Sequence, residues 1–184
     1  MNLYFDTEFT GLHKNTTLIS IGCVAEDGKT FYAELTDYDK LQCNDWINEN
    51  VINHLLLGSE HFVLRSEPEK CEVQGTKNQV KKYLALWLSQ FQSVQLIYDV
   101  CHYDMVLFID LFGTAFDLPD NVSASCHDIN QDIARHYGIS EREAFDKSRE
   151  EIVVEFPDVQ IHRDKHNALY DARVIKAIYE KLVI

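Results

Sequence analysis

The sequence predicts an α/β fold in which a mixed β-sheet is flanked by helices. Three observations lead there. Strand-length apolar runs open the chain as a meander, and the second half alternates such runs with amphipathic helical stretches. No internal repeat, low-complexity tract or linker divides the 184 residues, so one domain spanning 1–184 is expected.

The opening MNLYFDTEFTGL reads as a core strand. Side chains of a strand alternate between faces, so Tyr4, Asp6 and Glu8 share one face while Leu3, Phe5, Thr7 and Phe9 take the other. TGLHKN follows as a loop. TLISIGCVAED is the second strand and KTFYAEL the third, joined at Asp27-Gly28, a dipeptide that signals a hairpin when it separates two apolar runs. From Thr36 to Gly75 the pattern is irregular and polar, with short helical pieces around Asn44 to Leu57 and no strand assigned; the segment is a candidate for part of a substrate groove or a subunit contact.

Thr76 and Gln79 make a capping-box pattern ahead of KNQVKKYLALWLSQF, whose Val80, Tyr83, Leu84, Trp87, Leu88 and Phe91 fall on one side of a helix. VQLIYDV then reads as a buried strand and YDMVLFIDLFG as a helix closed by Gly113. A short strand is expected before Ser125, followed by a helix over CHDINQDIARHYG closed by Gly138. Ser140 and Glu143 offer a second capping box for SEREAFDKSREEI, and NALYDARVIKAIYEKLVI forms the final helix.

Composition narrows the function classes. With 46% hydrophobic residues the chain can bury a sizeable core. Asp6 and Glu8 interrupt the first apolar stretch, no basic residue precedes it, and no apolar run approaches membrane-spanning length, so a cytoplasmic protein without a membrane partner is expected. Five cysteines, odd in number and without a CxxC pair, suggest neither a disulfide framework nor a zinc knuckle. The formal charge of −13 excludes a broad basic footprint for nucleic acid. It leaves room for an enzyme that grips a few nucleotides and bridges its own carboxylates to phosphate through divalent cations. The glycine-rich, P-loop and HExxH patterns of dinucleotide oxidoreductases, nucleotide triphosphatases and zinc proteases do not occur.

Asp6 and Glu8 are the unusual feature of the first strand. Two ionised carboxylates on one face repel, and their pKa values rise unless a cation sits between them. Asp104, in HYDMVLF, follows the strand that ends near Val100, and strand ends are where α/β sheets gather ligands. His166 and Asp171 lie in KHNALYDA. Were both helical, they would stand about 140° apart around the axis. His166 is therefore expected on the loop before the helix, swinging toward a site that Asp171 faces from the first turns. Each of these residues alone has an ordinary structural explanation, as an edge-strand acid, a helix cap or a first-turn acid favoured by the helix dipole. The ordered set is far more specific than any member.

These residues resemble the DEDD-type 3′–5′ exonucleases in the branch that uses histidine, a family with a ribonuclease H-like fold. Asp6-Thr7-Glu8 is similar to the first motif of that family, Asp104 within Tyr103-Asp104-x-x-Leu107-Phe108 to the second, and His166 followed five residues later by Asp171 to the third. More narrowly, YFDTEF and LISIGCVAEDGKTFYAEL resemble a group of bacterial and phage exoribonucleases that includes a mycobacterial polyadenylate-specific enzyme. One departure is the segment before Asp104, where much of the family has a His-Asn-Ala-like stretch and this chain has Asp99-Val100-Cys101-His102, making Asp99 a rival for the metal role.

The resemblance implies an exoribonuclease that hydrolyses single-stranded RNA, and DNA as a further candidate, from the 3′ end to nucleoside monophosphates, working as a homodimer. Asp6, Glu8, Asp104 and Asp171 are the implied metal ligands and His166 the implied general base. Phe9, Thr10 and Leu12 are the implied contacts to the terminal nucleotide, and Arg163 and Lys165 flank the catalytic loop as candidate phosphate contacts. Phosphodiester hydrolysis is served by two hard divalent ions roughly 3.5–4 Å apart. Oxygen ligands of this kind suit Mg²⁺, with Mn²⁺ as a substitute, and leave the imidazole free for proton transfer with an ordinary pKa near ~6.5. Two other readings stand beside this one: a metal-dependent phosphodiesterase acting on dinucleotides or small nucleotides, and a nucleic-acid-binding module with a degenerate site.

Overall fold

The structure is a computed structural model that describes residues 1–59, 61–156 and 166–183. β1 (Asn2–Phe9), β2 (Leu18–Ala25) and β3 (Thr30–Leu35) form an antiparallel meander. The expected turn joins β2 to β3: Gly28 adopts φ 92°, in the left-handed region that favours glycine, and its N–H donates to the Ala25 carbonyl at 2.9 Å. β4 (Val63–Ser66) and β5 (Lys70–Gly75) extend the sheet beyond β3; β6 (Val94–Tyr98) and β7 (Val122–Asp128) extend it beyond β1. The seven strands run in the order β4-β5-β3-β2-β1-β6-β7, with the β3/β5, β1/β6 and β6/β7 pairs parallel, so the sheet is mixed as expected.

β4 and β5 lie within 36–75, the stretch whose sequence pattern is irregular and assigns no strand. β5 alternates Cys71 and Val73 with Glu72 and Gln74, but all four are buried, so its polar face does not look like a solvent face. The reason lies on β3. Glu34 is completely buried, and its carboxylate accepts from the Tyr32 hydroxyl at 2.9 Å, from the Leu56 and Leu57 N–H groups at 2.6 and 2.9 Å, and from the Gln74 amide at 3.0 Å. A buried charge is tolerated when its hydrogen-bonding capacity is filled in this way, and here it pins the 55–58 loop across the sheet.

The helices are α1 (Asp45–Asn50), α2 (Lys77–Leu88), α3 (Cys101–Phe112), α4 (Asn130–Tyr137), α5 (Glu141–Asp146), α6 (Arg149–Val154) and α7 (Ala168–Val183). Thr76 and Gln79 form the expected capping box at α2, as do Ser140 and Glu143 at α5, and α3 and α4 stop at Gly113 and Gly138 with φ of 123° and 64°. Two boundaries differ from expectation. Cys126–Asp128 belong to β7 rather than to the following helix, because Cys126, His127 and Asp128 pair with Leu96, Ile97 and Tyr98 of β6. SEREAFDKSREEI is two short helices, since the Ser148 hydroxyl caps α6 and breaks the run at Lys147.

Helices cover both faces of the sheet. Phe5 packs on Phe108 of α3 and Phe31 on Trp87 of α2, with ring centroids 5.3 and 5.7 Å apart. On the opposite face α7 crosses β1 and β2, where Tyr4 meets Tyr179 at 5.5 Å and Val24 and Tyr32 pack with Leu169 and Ala172. The period-2 alternation of β1 therefore sends Asp6 and Glu8 toward the start of α7. Among the described residues no helix is long and apolar enough to cross a membrane.

Candidate active site

Asp6, Glu8 and Asp171 each offer a carboxylate oxygen within 4.8 Å of the others. β1 supplies two of them on one face, and the first turn of α7 brings the third down onto that face. The surrounding protein strips water from Asp6 and pushes its pKa well up, and the Asp104, Asp171, Glu8 and Asp99 charges push it further the same way. Glu8 is raised for the same reasons, burial first and then Asp171 and Asp104. Among the described residues no lysine or arginine forms an ion pair with Asp6 or Glu8. Gathering repelling carboxylates is costly unless a cation joins them, and an all-oxygen set is what a hard divalent ion takes. The residues fit such an ion.

Asp104 stands beside this trio. β6 pairs with β1 only from Asn2 to Tyr4, so the Thr7 N–H lies beyond the end of the β6 ladder, and the buried Asp104 takes it at 2.9 Å together with the Thr7 hydroxyl at 2.6 Å, both through Oδ1. The oxygen it could turn toward a cation is Oδ2. Burial raises its pKa, and the two Thr7 hydrogen bonds work against that rise.

Asp99, the rival for the metal role, is engaged elsewhere. The Arg149 guanidinium grips both of its oxygens, at 2.5 and 2.7 Å, and the Asn130 amide donates to it at 3.0 Å. Arg149 also donates to the Ala144 and Lys147 carbonyls at 2.9 and 2.7 Å, which fixes the α5–α6 junction beside the site. Val100, next to Asp99, holds a left-handed φ of 56°.

His166 lies on the loop before α7, as expected, with φ 64° and its N–H donated to Asp171 Oδ2 at 3.1 Å. Its ring meets the edge of half-exposed Trp46 from α1 at 5.2 Å. A cleft of about 400 Å³ is lined by Asp6, Asp99, His166 and Asp171 on one side and by Phe145, Lys147 and Arg149 on the other. Of the implied nucleotide contacts, Phe9 stacks on Tyr103 at 5.2 Å and Leu12 stands out into solvent. Thr10 points inward: its hydroxyl donates to Gln42 at 2.5 Å and accepts the Thr17 N–H at 2.9 Å. Arg163 and Lys165 lie outside the described residues.

Sequence reasoning missed Arg149, Trp46 and Asn167. Arg149 and Trp46 carry no local signal, since their partners are distant in the chain. Asn167 did carry one, an Asn directly before an apolar-periodic run, which is the mark of a helix cap. Ser20 was missed as well; it sits opposite Glu8 in the β1/β2 register, completely buried, and its hydroxyl has no hydrogen-bond partner among the described residues.

A family model described as the 3′-5′ exoribonuclease Rv2179c-like domain matches residues 1–183. Two Mycobacterium tuberculosis proteins, the 3′-5′ exoribonucleases Rv2179c and MT2234.1, are each 29% identical over 133 residues, covering 71% of this chain and 73% of theirs. Two solved structures share the fold at low identity. One, titled as 3′-end specific recognition of histone mRNA stem-loop by 3′-exonuclease, superposes with a TM-score of 0.64 at 12% identity over 99% of this chain and 80% of that one. The other, a full-length 3′-exonuclease, gives 0.63 at 13% identity with the same coverage. The mixed sheet with helices on both faces is thus the ribonuclease H-like exonuclease fold.

Proposed function

The chain belongs to the Rv2179c-like family of 3′-5′ exoribonucleases, and from that membership we propose that it removes nucleoside monophosphates from the 3′ end of single-stranded RNA with the help of divalent cations held by Asp6, Glu8, Asp104 and Asp171. The observation that carries this reading is the convergence of the Asp6, Glu8 and Asp171 carboxylates, each with an oxygen within 4.8 Å of the others, beside the cleft that Asp6, Asp171 and His166 line. Mg²⁺ is the proposed ion, two per site, with Mn²⁺ able to replace it.

Bound there, the cations would lower the pKa of water and neutralise charge on the phosphoryl oxygens. Asp6 and Glu8 act from a rigid strand, so their spacing is set by the sheet rather than by a loop. Asp171 joins them from α7, and Asp104 faces them with one oxygen held by Thr7. His166 accepts a proton from the attacking water at its imidazole nitrogen, and the edge contact with Trp46 limits where that ring can turn. Phe9 and Leu12 offer apolar surface to the terminal nucleotide, a contact that tolerates any base because every base has a π-face.

Incubating 5′-labelled single-stranded RNA, the matching DNA and a dinucleotide with Mg²⁺, Mn²⁺ or EDTA tests this. The expected result is an RNA ladder that shortens from the 3′ end, requires metal, and vanishes in Asp6→Ala and His166→Ala. Intact polymers alongside hydrolysed dinucleotide would replace the polymer reading with a small-nucleotide phosphodiesterase. Size-exclusion chromatography with light scattering checks the proposed homodimer, which should elute at twice the 21.4 kDa chain mass.

A further inference from the structure

Asp171 reaches Asp6 and Glu8 only because the first turn of α7 lies almost on the backbone of β2. Gly22 is the point of contact. It pairs directly with Asp6 in the β1/β2 register, and a Cβ added there would sit 2.3 Å from the carbonyl carbon of Ala168 and 2.3 Å from the nitrogen of Leu169. Both atoms are backbone, so no rotamer change relieves the clash. The helix start itself would have to withdraw to reach ordinary contact at 3.4 Å.

Asn167, the residue just before Ala168, fixes the same turn. It is 4% exposed, and all of its amide is used. Oδ1 accepts the Leu169 and Tyr170 N–H groups, each at 3.2 Å, capping the helix. Nδ2 donates to the His54 carbonyl at 3.0 Å and to the Tyr32 hydroxyl at 3.4 Å. Tyr32 in turn donates to buried Glu34. The cap is therefore lashed to β3 and to the loop after α1, neither of which is part of the acidic cluster.

We propose that Gly22 and Asn167 are positioning residues that set the height and start of α7 over the sheet, and through it bring Asp171 and His166 to Asp6 and Glu8. This rests on the metal-dependent reading given above. Neither residue touches substrate or metal; their work is to fix the distance between a strand and a helix that each carry part of the site. A glycine is required at residue 22 because the helix approaches closely, not because the strand needs an unusual backbone conformation.

The test measures Mn²⁺ affinity by calorimetry, RNA hydrolysis, and thermal stability for wild type, Gly22→Ala, Asn167→Ala and Asn167→Ser. Ile178→Val, buried near the far end of α7, serves as a control that loosens the same helix without moving its start. Gly22→Ala and Asn167→Ala are expected to lose about 10- to 100-fold in Mn²⁺ affinity and in kcat, the range seen when residues supporting metal ligands are removed. KM for RNA is expected to move less than kcat. Asn167→Ser, which keeps a capping oxygen, should regain part of the loss, and Ile178→Val should bind Mn²⁺ like wild type. If Gly22→Ala does not fold, the Asn167 pair carries the comparison. Folded Gly22→Ala or Asn167→Ala protein with wild-type Mn²⁺ affinity and turnover would overturn the proposal, as would an equal loss in Ile178→Val. Wild-type protein that neither binds Mn²⁺ nor hydrolyses RNA would overturn the functional reading and this one together.

Discussion

Asp6 and Glu8 hold protons more tightly in the metal-free fold than in an unfolded chain, because burial and neighbouring carboxylates raise both pKa values. The sign follows from linkage. A carboxylate raised on folding favours the folded state below its ordinary pKa, and that contribution is lost as pH climbs through the raised value. Metal-free protein should therefore lose stability from these two groups as pH rises above the ordinary carboxylate range, and a divalent cation should offset the loss. Thermal unfolding with and without Mg²⁺ checks this: the gain in Tm is expected to be larger at pH 8 than at pH 6, and Glu8→Gln should shrink the difference. Arg149 makes a second residue-scale prediction. Replacing it by Ala leaves the partly buried Asp99 without its guanidinium partner and is expected to cost about 2 kcal/mol, within the range for hydrogen bonds to charged groups, measured by urea unfolding. The paired acids on β1 were legible because strand periodicity alone puts them on one face. Arg149 was not, since nothing in DKSREE tells that its guanidinium will close on Asp99, which lies 50 residues earlier.

Elements read well where one local rule decided them. The capping boxes at Thr76 and Ser140 and the glycine stops at Gly113 and Gly138 each rest on a few adjacent residues, and they mark the ends of α2, α3, α4 and α5 as observed. β5 escaped because its second face buries Glu72 and Gln74, so polarity there reports a hydrogen-bonded interior rather than solvent. Cys126–Asp128 escaped because pairing with β6, a tertiary fact, outweighed a helical pattern. At the junction of β6 and α3, Val100 is a β-branched residue in the left-handed region, a placement that costs about 1–3 kcal/mol. Val100→Gly is therefore expected to raise the urea midpoint, although glycine usually lowers stability; a lower midpoint would mean that the valine side chain contributes more than its backbone costs.

Across the whole molecule, a charge of −13 has to coexist with a polyanionic substrate. Few phosphate contacts are expected, and the salt dependence of RNA binding should be correspondingly shallow, since its slope counts the phosphates neutralised by cationic side chains. Measuring KM for a short RNA between 50 and 200 mM salt, with metal held constant, is expected to give a change well below the roughly 10³-fold seen for proteins that neutralise many phosphates. The α/β class and mixed sheet were legible from the meander followed by alternating strands and helices, and the order of the acidic residues carried the family. What brings those acids together, the approach of α7 to Gly22 and the buried network around Glu34, depends on contacts between distant segments and was not.

The most direct measurement is a calorimetric titration of Mn²⁺ into wild-type protein and Asp171→Asn at pH 8. Saturable binding by wild type is expected, with a loss of about 100-fold in Asp171→Asn, because a neutral amide oxygen replaces the third negative ligand that α7 brings to Asp6 and Glu8. Equal binding by the two proteins would contradict it, placing any metal elsewhere and leaving the convergence of Asp6, Glu8 and Asp171 without a role in metal-dependent hydrolysis.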